Sequence, residues 1–112
     1  MRPELINLIV PEKTLNSDGF LSKEILYKTE VFAEEKGIKR AEFYAAAREG
    51  ITIAKMMTVD RYDFESAIVE IDGKKKKPSR VEHEGITYRI IRTYIPEKSM
   101  EMELYLQEEE NG

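Results

Sequence analysis

Turn residues divide this chain into short β-prone segments, and this division constrains the fold more than any other feature. Each segment is rich in β-branched and aromatic residues or alternates apolar with polar residues, as half-buried strands do. Pro11 is expected to end the first strand, and Asn16 to Gly19 to form the turn after it. The predicted strands span Glu4 to Val10, Leu21 to Glu34, Ile51 to Val59, Tyr62 to Ile71, Val81 to Glu84, Ile86 to Ile95 and Met100 to Leu106.

One segment, Lys39 to Glu49, has helical instead of strand periodicity. Good helix formers fill it, and Gly37 and Gly50 flank it. We therefore expect a helix of about three turns. For many short antiparallel strands a closed barrel is the favoured arrangement, because closure leaves no strand edge with unpaired backbone groups. The sequence thus predicts a mainly β fold, a small antiparallel β-barrel of about six strands with one short helix after the second strand and long loops.

The composition fits one small domain. The chain has 112 residues, of which 41% are hydrophobic and 36% charged, which is enough apolar material for a small core. We expect residues 1–107 to form a single barrel domain and residues 108–112 a flexible acidic tail. No apolar run approaches the roughly 20 residues of a membrane helix, and the N-terminal residues do not resemble a secretory signal. A soluble protein made in the cytoplasm, without a membrane partner, is expected.

The residue types give little support for an enzyme. The chain has no cysteine and a single histidine, which excludes a disulfide framework, a thiol nucleophile and a multi-histidine metal site. His83 is expected to be a surface imidazole at a strand end. Asp60, Asp63 and Glu65 are expected on the solvated face of a strand instead of around a metal ion. The glycines are isolated and form no phosphate-binding loop, so we expect no catalysis, no metal and no cofactor.

Charge is concentrated in one place. The formal net charge is −4, and glutamates of the C-terminal tail contribute most of it. Four adjacent lysines, Lys74, Lys75, Lys76 and Lys77, are expected to form a solvated loop. The alternative is that this loop meets a nucleic-acid backbone through counterion release. No aromatic residues alternate with the lysines, so base stacking has no support there.

Several apolar residues fall on surfaces that are otherwise polar, which indicates a protein partner. Leu26 and Phe32 lie on the face of the long second strand that carries Glu and Lys. Phe43 and Tyr44 leave the helix with too little polar surface for a free helix. Arg40 and Glu42 on the same helix are candidates for ion pairs with a neighbour. The alternative for the helix is that it covers one opening of the barrel.

Four motifs, in this order, resemble the phage head-tail joining proteins, also called head-closure, head completion or stopper proteins, of siphophages and prophages. The motifs are the Ser-Asp-Gly-Phe stretch from Ser17 to Phe20, Val31-Phe32-Ala33-Glu34, the helical run Arg40 to Ala47, and the strand from Gly85 to Tyr94. The similarity extends from about Leu5 to Leu106. The segment from Ala67 to Arg80 is longer and richer in lysine than the family pattern.

The resemblance implies a virion structural protein and no catalysis. Such a subunit is made in the cytoplasm of the bacterial host, is a monomer in isolation, and forms a ring in the virion neck, which we expect to be dodecameric. The ring lies below the portal-adaptor (head-tail adaptor) complex, seals the DNA channel and docks the tail through a tail terminator or tail joining protein. The lysine loop is then a candidate for contact with packaged DNA in the channel. The alternatives are a tail terminator or tail completion protein, or a small β-barrel that binds single-stranded nucleic acid.

Overall fold

The computed structural model describes residues 3–15, Gly19 and residues 21–109. The fold is mainly β, as predicted, with 58% strand and 15% helix. Within the described residues the elements are β1 Glu4–Leu15, β2 Leu21–Lys36, α1 Arg40–Arg48, β3 Lys55–Asp60, α2 Arg61–Ser66, β4 Val69–Ile71, β5 Lys74–Lys76, β6 Arg80–His83, β7 Ile86–Tyr94 and β8 Glu101–Glu108. In the described part of the chain, no helix is long and apolar enough to cross a membrane.

Six strands close into an antiparallel barrel in the order β1, β2, β3, β8, β7, β6. Side chains alternate between the two faces of a strand, so every second residue points into the barrel. The interior is filled by apolar side chains, among them Ile6, Leu8, Val31, Met57, Val59, Val81, Tyr88, Leu104 and Leu106. The predicted β6–β7 hairpin is confirmed. Its turn residues Glu84 and Gly85 have φ angles of 52° and 79°, which is the left-handed conformation that a tight hairpin turn requires.

The β1–β2 hairpin continues beyond the barrel wall. On one side, β6 pairs only with residues 7–9 of β1. On the other side, β3 pairs only with residues 33–36 of β2, whereas β1 and β2 pair with each other out to Leu15 and Leu21. We call residues 10–15 and 21–28 the arm. The prediction that Pro11 ends the first strand is therefore wrong, and the predicted turn at residues 16–19 lies outside the described residues except for Gly19.

The prediction of a strand from Tyr62 to Ile71 is also wrong for its first half, which is helix α2. Asp60 begins this helix, since its side-chain carboxylate accepts hydrogen bonds from the backbone N–H groups of Tyr62 at 2.8 Å and Asp63 at 3.2 Å. Phe64 and Ala67 are buried in the barrel core. Helix α2 therefore closes one end of the barrel. Asp63 and Glu65 lie on this helix instead of on a strand, whereas Asp60 is the last residue of β3 and caps the helix.

Three other boundaries differ from the prediction. Strand β3 begins at Lys55, four residues later than expected, after an irregular segment. The predicted lysine loop is a strand for three of its four residues: Lys74–Lys76 form β5, which pairs with β4, and Lys77 follows the strand. Asp72 and Gly73 form the tight turn between β4 and β5 with positive φ angles. Glu108 is part of β8, so the predicted tail begins later than residue 108.

Candidate functional site

An exposed apolar surface lies on β2 and the arm. Phe32 is 61% exposed, and Ile25, Leu26 and Tyr27 are 36%, 42% and 39% exposed. Adjacent residues of a strand point to opposite faces, so the arm presents apolar side chains on both faces. Leu26 and Phe32 lie on the face expected from the sequence, together with Glu24, Lys28 and Glu30. Their role in binding a partner stays a prediction.

Helix α1 forms a second exposed apolar surface. It spans nearly the predicted residues and buries none of them fully. Phe43 and Tyr44 are 37% and 54% exposed, and their rings contact edge to face with centroids 5.8 Å apart. The helix packs on the outer wall of the barrel, where Ala46 meets a small cluster of Ile53, Met56 and Tyr105. It does not cover an opening of the barrel, which corrects the alternative interpretation.

The two predicted ionic residues of α1 have different environments. The carboxylate of Glu42 accepts a hydrogen bond from Arg92 of β7, so it is already paired within the chain. Arg40 has no ion-pair partner among the described residues. Between the helix and the barrel lies a groove of about 240 Å³, lined by residues that include Glu42, Ala46, Ile91 and Tyr105. This volume is below the roughly 300 Å³ of the smallest typical ligand pockets, so the groove does not indicate a small-molecule site.

One arginine connects the arm to the barrel. The Arg80 guanidinium of β6 donates to both carboxylate oxygens of Glu24, at 2.8 and 3.3 Å, and its Nε lies 3.4 Å from Glu109. The backbone N–H of Glu109 donates to the carbonyl oxygen of Thr87. Residues 108 and 109 of the predicted flexible tail are therefore held on the barrel, and residues 110–112 lie outside the described part of the chain.

We expect an Arg80→Met variant to lose stability in a pH-dependent way. The hydrogen bond from Arg80 holds the pKa of the Glu24 carboxyl below its usual value of 4.5. A carboxyl whose pKa is lower in the folded state stabilises the fold above its ordinary pKa and loses that contribution as the pH falls through the lowered value. The difference in thermal midpoint between wild type and variant should therefore be largest at neutral pH and shrink below pH 4.5.

Arg89→Met is the matched control, since Arg89 donates to the uncharged Gln107 side chain at 2.8 Å. Its effect on stability should not change between pH 7 and pH 3. An NMR titration should also show the pKa of Glu24 returning to the ordinary range in Arg80→Met. An unchanged titration of Glu24 would contradict this account.

The end of the barrel opposite α2 is closed by a layer of polar side chains. The alternation that points Val81 inward also points His83 inward, so His83 is 4% exposed instead of lying on the surface as predicted. Its Nδ1 lies 3.1 Å from Nζ of Lys55, the first residue of β3 on the opposite wall. Nζ of Lys55 is also 3.5 Å from the Glu35 carboxylate and 4.8 Å from the centre of the Tyr88 ring.

Lys55 keeps its charge in this layer. Burial acts to lower the pKa of its ammonium, but the Tyr88 hydroxyl and the Glu35 carboxylate favour the charged form more strongly, so the pKa is raised above its usual value. An ammonium can only donate, so Nδ1 of His83 accepts, and in the neutral ring the proton is on Nε2.

The same histidine belongs to the one group of possible metal ligands found among the described residues, which also contains Glu4 and Glu84. Nε2 of His83 is buried and makes no hydrogen bond to any described residue, although it lies within ion-pair distance of Glu4 Oε2, at 3.1 Å, and of Glu84 Oε1, at 3.7 Å. A metal ion could bind Nε2 only by displacing the proton that this nitrogen carries when Nδ1 accepts from Lys55. The positive charge of the Lys55 ammonium would also repel the metal ion. We therefore interpret Glu4, His83 and Glu84 as a structural group that helps to close this end of the barrel and not as a metal site.

The four lysines are exposed on the β4–β5 hairpin and its following residue. Lys74, Lys75 and Lys76 are opposite Ile71, Glu70 and Val69, and no ion pair within 4.0 Å involves the lysines in the described part of the chain. Their positive charge is therefore not neutralised by close ion pairs.

Sequence reasoning missed Lys55, Arg80 and Arg92, whose partners His83, Glu24 and Glu42 lie on elements distant along the chain. Only the inward alternation of Val81 and His83 could have indicated that His83 is buried. No protein-family model matches this chain, and no curated protein was found that resembles it.

Proposed function

We propose that this chain is a structural subunit of a phage particle, a head-closure or head-tail connector protein of the virion neck. In this role it forms a ring below the portal-adaptor complex, closes the DNA channel after packaging and provides a docking surface for the tail. The observation that carries the proposal is the exposure of apolar side chains on two separate elements, β2 with the arm and helix α1. The order of the sequence motifs supports the same assignment.

The structure of the barrel is suited to a subunit whose role is to bind other protein subunits. Its interior is filled with apolar side chains, α2 closes one end and the Lys55–His83 pair the other. A ring of identical subunits requires a head-to-tail contact between two different surfaces of each subunit. The outer face of β2 with the arm is one such surface, and α1 is the other. We propose Leu26 and Phe32 as the apolar anchors of the first surface, and Phe43 and Tyr44 as those of the second.

The position of the one histidine supports a role without catalysis. His83 is 4% exposed, and its Nδ1 is occupied by the ammonium of Lys55. A general base must reach a proton of the substrate with a free lone pair. Nδ1 of His83 cannot do so, because its lone pair accepts the hydrogen bond from Lys55.

The lysine hairpin favours a second candidate, contact with nucleic acid. Its four exposed lysines form no close ion pair with any described residue. Such cations attract a phosphate backbone and would release counterions on binding. In the connector the contact would be with packaged DNA, and in the alternative it would be with single-stranded nucleic acid in solution. Binding of the isolated chain to an oligonucleotide at physiological salt, with a steep salt dependence that Lys→Ala changes at residues 74–77 abolish, would favour the alternative.

Removal of the gene from the phage or prophage that encodes it tests the connector. We expect DNA-filled heads that leak their DNA and carry no tails, because neither the channel nor the docking surface would be complete. Supplying the wild-type chain from a plasmid should restore tailed particles. Tailed, infectious particles without the protein would refute the proposal, and intact heads with defective tails would instead indicate a tail terminator or tail completion protein.

A further inference from the structure

The outer edge of β2, the side facing away from β1, is unpaired along most of the strand. Strand β3 pairs only with residues 33–36 of that edge. Within the described residues, β1 is the only strand that pairs with residues 21–32, and it does so from the other side of β2. Long exposed edges invite pairing with another chain, and proteins usually interrupt or cover them. This edge contains no proline, and no register shift is found between residues 23 and 33 of β2.

The backbone groups available at this edge follow from the register. Ile9 accepts a hydrogen bond from the Ser79 N–H at 2.9 Å, so its carbonyl points to β6 and away from β2. Backbone direction alternates along a strand, so Pro11 also points away from β2. Leu26 lies opposite Pro11, and its own N–H and carbonyl therefore point away from β1, as do those of Glu24 and Lys28.

We propose that the outer edge of β2 binds the same edge of a second copy of this chain, antiparallel and centred on Leu26. In this register Glu24 of each copy lies opposite Lys28 of the other, and the two Leu26 side chains meet on the same face. On the other face, Ile25 of each copy lies opposite Tyr27 of the other. Opposite charges and aromatic–β-branched pairs are the combinations that stabilise antiparallel strands.

Neighbouring registers lack this complementarity. Centring on Tyr27 places Glu24 opposite Glu30, and centring on Lys28 places two lysines opposite each other. The Lys28 register also places Lys23 opposite Ala33, where β3 already occupies the edge. Centring on Leu26 brings Ala33 opposite Gly19. The paired residues of the second copy therefore end where β3 begins to pair with β2, and no residue of the edge would have to pair with two strands at once.

The ion pairs that Glu24 and Lys28 make within the chain leave further hydrogen-bond acceptors and donors free for these contacts. Glu24 uses one lone pair on each oxygen for Arg80, and Lys28 Nζ uses one of three donors for Glu82, at 3.4 Å. A carboxylate accepts about four hydrogen bonds. The outer edge of β1 is a poorer partner because β6 covers residues 7–9 and Pro11 lacks an N–H.

The dimer goes beyond the proposed function and departs from the monomer that the family resemblance implies for the isolated chain. It would cover the free edge before assembly. Because the pairing uses the same surface on both copies, it closes after two chains. A head-to-tail ring that uses the β2 edge would then require the dimer to separate.

Analytical ultracentrifugation of the full chain tests the proposal. The wild type should show a mass of two chains that dissociates on dilution. Glu24→Lys and Lys28→Glu should each weaken self-association about tenfold or more, because each variant places two like-charged pairs across the interface. A mixture of these two variants should form a heterodimer again. One chain then carries lysine at both positions and the other carries glutamate at both, so each of the two contacts joins opposite charges.

Leu26→Pro should also be monomeric with an unchanged circular dichroism spectrum, because it removes only an N–H that points away from β1. Leu26→Thr keeps that N–H and is the matched control, which should retain most of the dimer. If Leu26→Pro fails to fold, the charge-reversal mixture still decides the question. A monomeric wild type, a dimer insensitive to both charge reversals, masses above two chains, or no rescue on mixing would each overturn the proposal.

Discussion

Phe64→Ala is expected to lower the free energy of unfolding by about 3–5 kcal/mol, the usual cost of truncating a buried phenylalanine to alanine. Phe64 is 4% exposed and packs in the barrel core from α2. The truncation would open a cavity at the end of the barrel that α2 closes. Chemical denaturation followed by circular dichroism measures this change.

Tyr62→Ala on the same helix is the matched control. Tyr62 is 67% exposed, and the hydrogen bond that caps the helix uses its backbone N–H, which the substitution retains. Its effect should stay within about 0.5 kcal/mol. Equal effects of the two substitutions would show that α2 does not close the barrel.

The polar layer at the other end should behave as a coupled pair. His83→Leu removes the acceptor of the Lys55 ammonium, and Lys55→Met leaves Nδ1 of His83 buried without a donor. Each single variant should lose about 1–3 kcal/mol at pH 7, the cost of leaving a buried polar group unpaired. The double variant Lys55→Met/His83→Leu should be close to wild type, because two apolar side chains of similar size replace both partners.

Lys36→Met is the control for loss of a surface charge. Lys36 pairs with Glu34 at 2.9 Å, and both side chains are more than a third exposed. Such a pair contributes little, so the expected change is less than about 0.5 kcal/mol. Additive losses in the double variant would contradict the coupling between Lys55 and His83.

The sequence predicted the elements whose signal is local. The alternation in β2 and the helical spacing of α1 are properties of neighbouring residues, and both elements lie where they were expected. The turn at Gly85 needs a positive φ, which favours glycine, and the β6–β7 hairpin follows it. The exposure of Phe32 and Tyr44 could be predicted for the same reason, since each lies on an otherwise polar surface.

The remaining features depend on contacts between distant parts of the chain. The segment around Phe64 has aromatic residues typical of a strand, but the cap at Asp60 and the open end of the barrel favour a helix. Pro11 does not end β1, because its missing N–H would point away from β2 and no hydrogen bond is lost there. The burial of His83 depends on Lys55, which lies 28 residues away along the chain.

Electron microscopy of tailed particles that carry a tagged copy of this chain tests the central claim most directly. A ring of tag density in the neck, between the portal-adaptor complex and the tail, is the result that the connector role predicts. Purified infectious particles without the tagged chain, or with the tag only along the tail or inside the head, would contradict it.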